Sequence, residues 1–146
     1  MADVTQHVNM PVATGERIYN NETMEDLVRK QACDIIQPDV TNYGSLQEVQ
    51  HAASMAKSRY MTIAPHNPNA GVSTAASVHL CAGLENLEVL EHMSRDVEWA
   101  DEIIEHDYTV EPGLGVTFHP DAAREYPGEP KDSHSLFDEE GALKRP

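Results

Sequence analysis

Short apolar runs and longer amphipathic stretches alternate along roughly the first ninety residues of the chain. An apolar run bounded by turn formers suits a strand buried on both faces of a parallel sheet. Four such runs occur, at 11–14, 34–37, 60–64 and 87–90. The stretches between them carry helix signals. In the first, at 23–30, Thr23 is the expected N-cap, with Asp26 three residues on and Arg29 and Lys30 in the last turn. In the second, Ser45 and Glu48 form an S-x-x-E capping box, and Leu46, Val49, Ala53 and Ala56 make one apolar face. The third helix is expected from Ser73 to Ala82, with Gly83 as its C′ residue. The order β-α-β-α-β-α-β implies an α/β fold with a parallel sheet and right-handed crossovers.

Beyond Glu91 the pattern changes. Residues 92–146 are rich in Asp, Glu, Pro and Gly. Short β-like pieces are expected near 107–110 and 115–118, and the tail from about 126 reads as poorly ordered. Trp99, the sole tryptophan, is expected to anchor this segment onto the main body.

With 146 residues the chain can bury a core, but a whole (β/α)₈ barrel takes about 250. The net charge is −15, from 25 acidic and 10 basic residues, of which four are lysines. Such a surface repels nucleic acid and anionic membranes, and neither is expected as a partner. Acidic and lysine-poor, it also points to a high-salt interior of the halophile kind. Cys33 and Cys81 sit in apolar stretches without a CxxC pair or zinc-ligand spacing, so both are expected as buried, reduced thiols. The N-terminal residues lack a basic and then apolar leader pattern, and no apolar run is long enough to span a bilayer. A soluble, cytoplasmic protein is expected.

The chemistry-bearing residues fall at the ends of the apolar runs: Glu16, Asp39, His66 and Glu91, separated by 23, 27 and 25 residues, about one βα unit each. Parallel α/β folds gather functional groups at the C-terminal ends of their strands. Asp39 and His66 each follow a proline and, on adjacent strands, would hydrogen-bond, which fixes the imidazole tautomer and makes His66 a candidate general base. Glu16 and Glu91 would flank the pair, and a carboxylate cluster beside a base suits a hard cation such as Mg²⁺. Each residue alone is more often a solvated loop residue or a cap; four at four consecutive run ends favour a site.

Residues 11–17 (Pro-Val-Ala-Thr-Gly-Glu-Arg), 34–39 (Asp-Ile-Ile-Gln-Pro-Asp) and 64–66 (Ala-Pro-His) together resemble the mandelate racemase/muconate lactonizing branch of the enolase superfamily, and within it the galactonate, gluconate and xylonate dehydratases. The resemblance covers about residues 4–92, and the stretch through Gly113, Leu114 and Gly115 resembles the C-terminal extension of the same enzymes. It implies a partial TIM-type barrel over 1–92, the C-terminal β-α-β-α-β-α-β half, with an irregular acidic C-terminal extension over 93–146.

The resemblance also implies roles. Glu16 matches a carboxylate ligand of Mg²⁺ at the end of the fifth barrel strand. Asp39 matches the sixth-strand partner of the catalytic histidine. His66 matches the seventh-strand base that takes the proton α to the substrate carboxylate. Glu91 matches the eighth-strand acid that hydrogen-bonds the enediolate. Arg17, Asn67 and His92, beside these positions, are candidate substrate contacts, Arg17 equally a structural ion pair. The remaining histidines read as structural or exposed.

The family carries two further metal carboxylates and the leaving-group acid on earlier strands, absent from these residues. The expectation is therefore the C-terminal part of a Mg²⁺-dependent sugar-acid dehydratase, acting with an N-terminal half-barrel chain or in a homo-oligomer. The alternatives are a non-catalytic truncated remnant, or a racemase or cycloisomerase of the same superfamily.

Overall fold

The computed structural model describes residues 1–69, 71–92, 99–106 and 112–126. The strand expected near 107–110 and the tail beyond 126 lie outside these residues. Three two-residue strands, β1 (Ala13–Thr14), β2 (Ile35–Ile36) and β3 (Thr62–Ile63), form a parallel sheet in the order β1-β2-β3. The register runs Ala13–Ile35–Thr62 and Thr14–Ile36–Ile63. Helices occupy the crossovers: α1 (Ala2–His7) precedes β1, and α2 (Asn21–Arg29), α3 (Leu46–Lys57) and α4 (Val72–Ala82) follow the strands in turn.

β2 and β3 each run into a proline two residues past their ends. Pro38 and Pro65 have no N–H to give a ladder. The run at 87–90 forms no strand. Leu87 makes a single parallel bridge to Ile63, and Glu88 N–H reaches the Ile63 carbonyl at 2.8 Å. Leu87 and Val89 are exposed at this edge of the sheet.

The core lies between the sheet and the helices. Met24 and Val28 of α2, Val49, Ala52, Ala53 and Ala56 of α3, and Ile36, Tyr43, Ile63 and Leu80 are all buried. The other face of the sheet is less covered, with Ala13 exposed and Ile35 and Thr62 half-buried. Asn86 pins the far edge to the core, its Nδ2 donating to the carbonyls of Ala53 and Met61 at 3.1 and 3.0 Å.

Several local expectations are corrected. The N-cap of α2 is Asn20, whose Oδ1 accepts the Thr23 N–H at 2.9 Å, so Thr23 lies within the first turn. An asparagine amide oxygen reaches the third helical N–H as well as a threonine hydroxyl does, and the cap moved to the earlier of two competent residues. Asp26 pairs with Arg29 and Lys30, at 2.6 and 2.5 Å on the exposed face, where screening leaves such pairs little net stability. Leu46 is exposed and Ala52 takes its place on the buried face of α3. Ser45 does cap α3, its Oγ accepting the Glu48 N–H at 3.2 Å. Gly83 closes α4 as a C-cap in the right-handed region, φ −99°, so no left-handed turn is needed there.

The residues after 98 contribute α5 (Ala100–Ile103), β4 (Ile104–His106), β5 (Val116–Phe118) and α6 (Pro120–Glu125). β4 and β5 pair antiparallel, and β5 falls within the piece expected at 115–118. Trp99 has an aromatic partner within its own segment. It is 43% exposed and stacks on Tyr126 within the same segment, ring centroids 5.2 Å apart. The contact to the main body is aliphatic: Ile104 packs so tightly on Gly71, at the start of α4, that a Cβ there would lie 2.2 Å from its Cδ1. Gly71 also has φ +65°, and both facts call for glycine.

Candidate functional site

Three residues beyond Ile36 and Ile63, the register that pairs β2 with β3 places Asp39 directly beside His66, and the two form an isolated parallel bridge. His66 N–H bonds the Pro38 carbonyl at 3.2 Å. Their side chains meet, with His66 Nδ1 3.0 Å from Asp39 Oδ2. Asp39 is 1% exposed, whereas the His66 side chain keeps 23% of its surface open. A carboxylate accepting at Nδ1 requires the proton there, so in the neutral ring Nε2 is the nitrogen that can accept one.

The second carboxylate oxygen of Asp39 is also committed. Oδ1 accepts from the Thr41 backbone N–H at 2.8 Å and from the Thr41 hydroxyl at 2.6 Å. A buried carboxylate with three donors has its charge compensated without a cation beside it. Neither Thr41 nor its neighbour Asn69, whose Nδ2 donates to Thr41 Oγ1 at 3.3 Å, stood out in the sequence. The signal was present as Asp39-Val40-Thr41, an Asp followed two residues on by a hydroxyl residue, the pattern of a side-chain-closed turn.

Glu91 is exposed and tied to the same region through its backbone, its N–H donating to the Pro65 carbonyl at 3.2 Å. Its Oε2 accepts from Gln37 Nε2 at 3.3 Å. Gln37 also lies against the turn after β1. Gly15, at φ +137°, brings the turn so close that an added Cβ would stand 3.0 Å from the Gln37 nitrogen. On that turn Glu16 is half-buried and curls back to accept the Gly15 N–H at 3.2 Å. Contacts thus link the ends of all four runs: the Glu16 turn to Gln37, Gln37 to Glu91, Glu91 to Pro65, and His66 to Asp39. Gln37 is a further residue that the pattern alone did not single out.

The three candidate substrate contacts fare differently. Arg17 and His92 are exposed at the ends of the first and fourth runs. Asn67 is fully buried, and its amide is occupied: Nδ2 donates to Thr74 Oγ1 at 3.0 Å, and Oδ1 accepts from Ser73 Oγ at 2.9 Å. Asn67 therefore holds the His66 loop to the first turn of α4 and presents no polar atom outward, because helix-start hydroxyls claim both of its ends. The Tyr43 hydroxyl, below the site, donates to Asn21 Oδ1 at 2.8 Å; burial, with Glu48 and Glu22 nearby, pushes it up to about 12.

A hard divalent cation needs several oxygen ligands. Among the described residues no three His, Cys, Asp or Glu side chains converge to hold an ion, and Glu16 stands as a lone carboxylate. The described residues by themselves do not make a complete Mg²⁺ site.

A family model described as enolase C-terminal domain-like matches residues 1–122. Over 146 aligned residues the chain is 33% identical to a D-xylonate dehydratase of Haloferax volcanii, covering 94% of this chain and 35% of that enzyme. It is 26% identical to an arabinonate dehydratase of Saccharolobus solfataricus, covering 86% and 36%. Among solved structures, a mandelate racemase/muconate lactonizing enzyme-like protein from Rubrobacter xylanophilus superposes with a TM-score of 0.80 at 32% identity, covering 88% of this chain and 35% of that one. The chain spans about a third of the length of these relatives. Among the described residues no helix is long and apolar enough to cross a membrane.

Proposed function

The chain belongs to the enolase C-terminal domain-like family, and from that premise we propose that it supplies the base side of a sugar-acid dehydratase site. The observation that carries the reading is the His66–Asp39 pair, with Nδ1 held at 3.0 Å and 23% of the His66 side chain exposed. The likeness to xylonate and arabinonate dehydratases supports an aldonate as the substrate class.

In this reading Nε2 of His66 takes the proton α to the substrate carboxylate. The C–H bond breaks and its electron pair enters an enediolate. The buried Asp39 carboxylate stabilises the imidazolium that results. Glu91 is assigned the hydrogen bond to an enediolate oxygen, where developing charge most needs one, a role that requires its acid form. The 3-hydroxyl then leaves as water, with a proton from an acid outside these residues. The enol so formed takes up a proton at carbon 3 and becomes the 2-keto-3-deoxy acid.

Mg²⁺ would neutralise the dianionic enediolate, with Glu16 as one ligand. The other ligands are assigned to the companion surface. That surface is an N-terminal half-barrel chain or a second copy, closing a partial barrel of which residues 1–92 are the C-terminal half. The half-open face at Ala13, Ile35 and Thr62 and the unextended edge at 87–90 support this arrangement. Arg17 and His92 are assigned to the substrate's carboxylate or hydroxyls. The charge of −15 supports work at high salt.

The test is keto-acid formation from xylonate, gluconate, galactonate and arabinonate with Mg²⁺ at high salt. The chain is assayed alone and together with a half-barrel that carries the third- and fourth-strand carboxylates. Product only with the companion supports the reading. Product from the chain alone overturns the shared site, and none in either case favours a non-catalytic remnant.

A further inference from the structure

The shortest of the hydrogen bonds at the strand ends is made by a residue with no role in the scheme above. Thr41 Oγ1 stands 2.6 Å from Asp39 Oδ1, and the Thr41 backbone N–H reaches the same oxygen at 2.8 Å. We infer that Thr41 is the positioning residue that sets the tautomer of His66, and that Asn69 aims its hydroxyl.

Two donors from one residue on one carboxylate oxygen fix the plane of the carboxylate as well as its place. The terminal torsion of an aspartate is otherwise broad. With Oδ1 anchored, Oδ2 is left for a single partner, His66 Nδ1 at 3.0 Å. The direction of the Thr41 hydroxyl is settled from the other side. Asn69 Nδ2 donates to Oγ1 at 3.3 Å, so the hydroxyl's own proton is directed to Asp39. The chain of donors therefore runs Asn69 to Thr41 to Asp39, with His66 donating to the far oxygen. It joins the loop after β2 to the loop after β3, which Asn67 holds to α4 through Ser73 and Thr74.

The consequence is chemical. A histidine ring not held at Nδ1 favours the proton on Nε2, and in that tautomer the outward nitrogen cannot accept a proton. A carboxylate held only by the Thr41 backbone N–H can swing about its terminal torsion, and its grip on Nδ1 loosens. Thr41 itself is exposed, so loss of its hydroxyl leaves the core untouched. The inference rests on the reading of His66 as a base for its catalytic meaning, but the tautomer is measurable without turnover.

The experiment records long-range ¹H–¹⁵N correlations of the His66 ring, and its downfield Nδ1–H resonance, in the ¹⁵N-labelled 146-residue chain at neutral pH. Thr41→Val, Thr41→Ser and Asn69→Ala are compared after circular dichroism confirms that each is folded. Thr41→Val should lower the ratio of Nδ1–H to Nε2–H tautomer by about tenfold, the effect of one charge-assisted hydrogen bond, and erase the downfield signal. Thr41→Ser should retain both, and Asn69→Ala should lower the ratio by about threefold.

An unchanged ratio in folded Thr41→Val, or an equal fall in Thr41→Ser, would overturn the inference. If Thr41→Val does not fold, an unchanged ratio in Asn69→Ala overturns it. The two readings fail separately. A wild-type chain with the Nδ1–H tautomer that supports no α-proton exchange sinks the catalytic reading alone.

Discussion

Asp39→Asn separates what holds the site together from what makes it basic. The substitution keeps the shape of a side chain that is 1% exposed and accepts three hydrogen bonds, from Thr41 N at 2.8 Å, Thr41 Oγ1 at 2.6 Å and His66 Nδ1 at 3.0 Å. An amide has one accepting and one donating end. The Thr41 hydrogen bonds need the acceptor, so the amide oxygen stays at Oδ1 and the NH₂ faces His66. Two donors cannot meet, and the ring must move its proton from Nδ1 to Nε2. The hydrogen bonds to Asp39 lose their charge assistance, about 1 kcal/mol each, but a buried charge disappears with them. The two effects oppose, and folding stability should fall by no more than about 1–2 kcal/mol. The base, by contrast, is lost: Nε2 now carries a proton, a change of tautomer that costs about 10⁴-fold in kcat in hydrolytic triads. Ring ¹⁵N NMR on the chain and α-proton exchange in the reconstituted site measure the two consequences. A folded Asp39→Asn chain in which His66 keeps its proton on Nδ1 would refute the reasoning.

Other predictions follow from the packing and the charge. Gly71→Ala should destabilise the chain by about 1–3 kcal/mol in urea unfolding, because it adds a Cβ at φ +65° against Ile104; Ile104→Ala in the same background should recover part of the loss. Ile63→Ala, at a fully buried position between β2 and α3, should cost about 2–5 kcal/mol in the same assay. The Cys33 and Cys81 thiols are pushed up to about 11 by burial, so the folded chain should resist alkylation at pH 8 and react only on unfolding. The folded state favours their protonated form, so the stability they contribute is complete below the ordinary thiol value and is lost as pH rises through about 11. With a net charge of −15, the melting temperature should rise as KCl increases from 0.01 to 1 M, where the screening length falls from about 30 Å to about 3 Å; a flat profile would speak against the high-salt reading.

The parallel order of β1, β2 and β3 was legible because three apolar runs stood between capped helices, and the pairing of Asp39 with His66 was legible because both end such runs. The limits were local. Asn20 and Thr23 are both competent caps, and nothing in the pattern ranks them. The run at 87–90 has the composition of a strand, but its pairing stops at one bridge to Ile63, and the length of a ladder is not written in a one-dimensional pattern. Asn67 looked like a ligand contact from its place beside His66, and only the fold reveals that Ser73 and Thr74 occupy its amide. Trp99, expected as an anchor because it is a lone aromatic in an acidic stretch, stacks on Tyr126, 27 residues on in sequence. Thr41 and Gln37 were passed over because their importance lies in what they touch, not in their own chemistry.

The central claim is that His66, held by Asp39, abstracts the proton α to an aldonate carboxylate. Its most direct test is exchange of that hydrogen in D₂O, with Mg²⁺ and xylonate, in a site completed by a companion half-barrel. Wild-type chain should incorporate deuterium at carbon 2, and His66→Asn should abolish incorporation while circular dichroism shows the fold intact. Incorporation retained by His66→Asn would contradict the account.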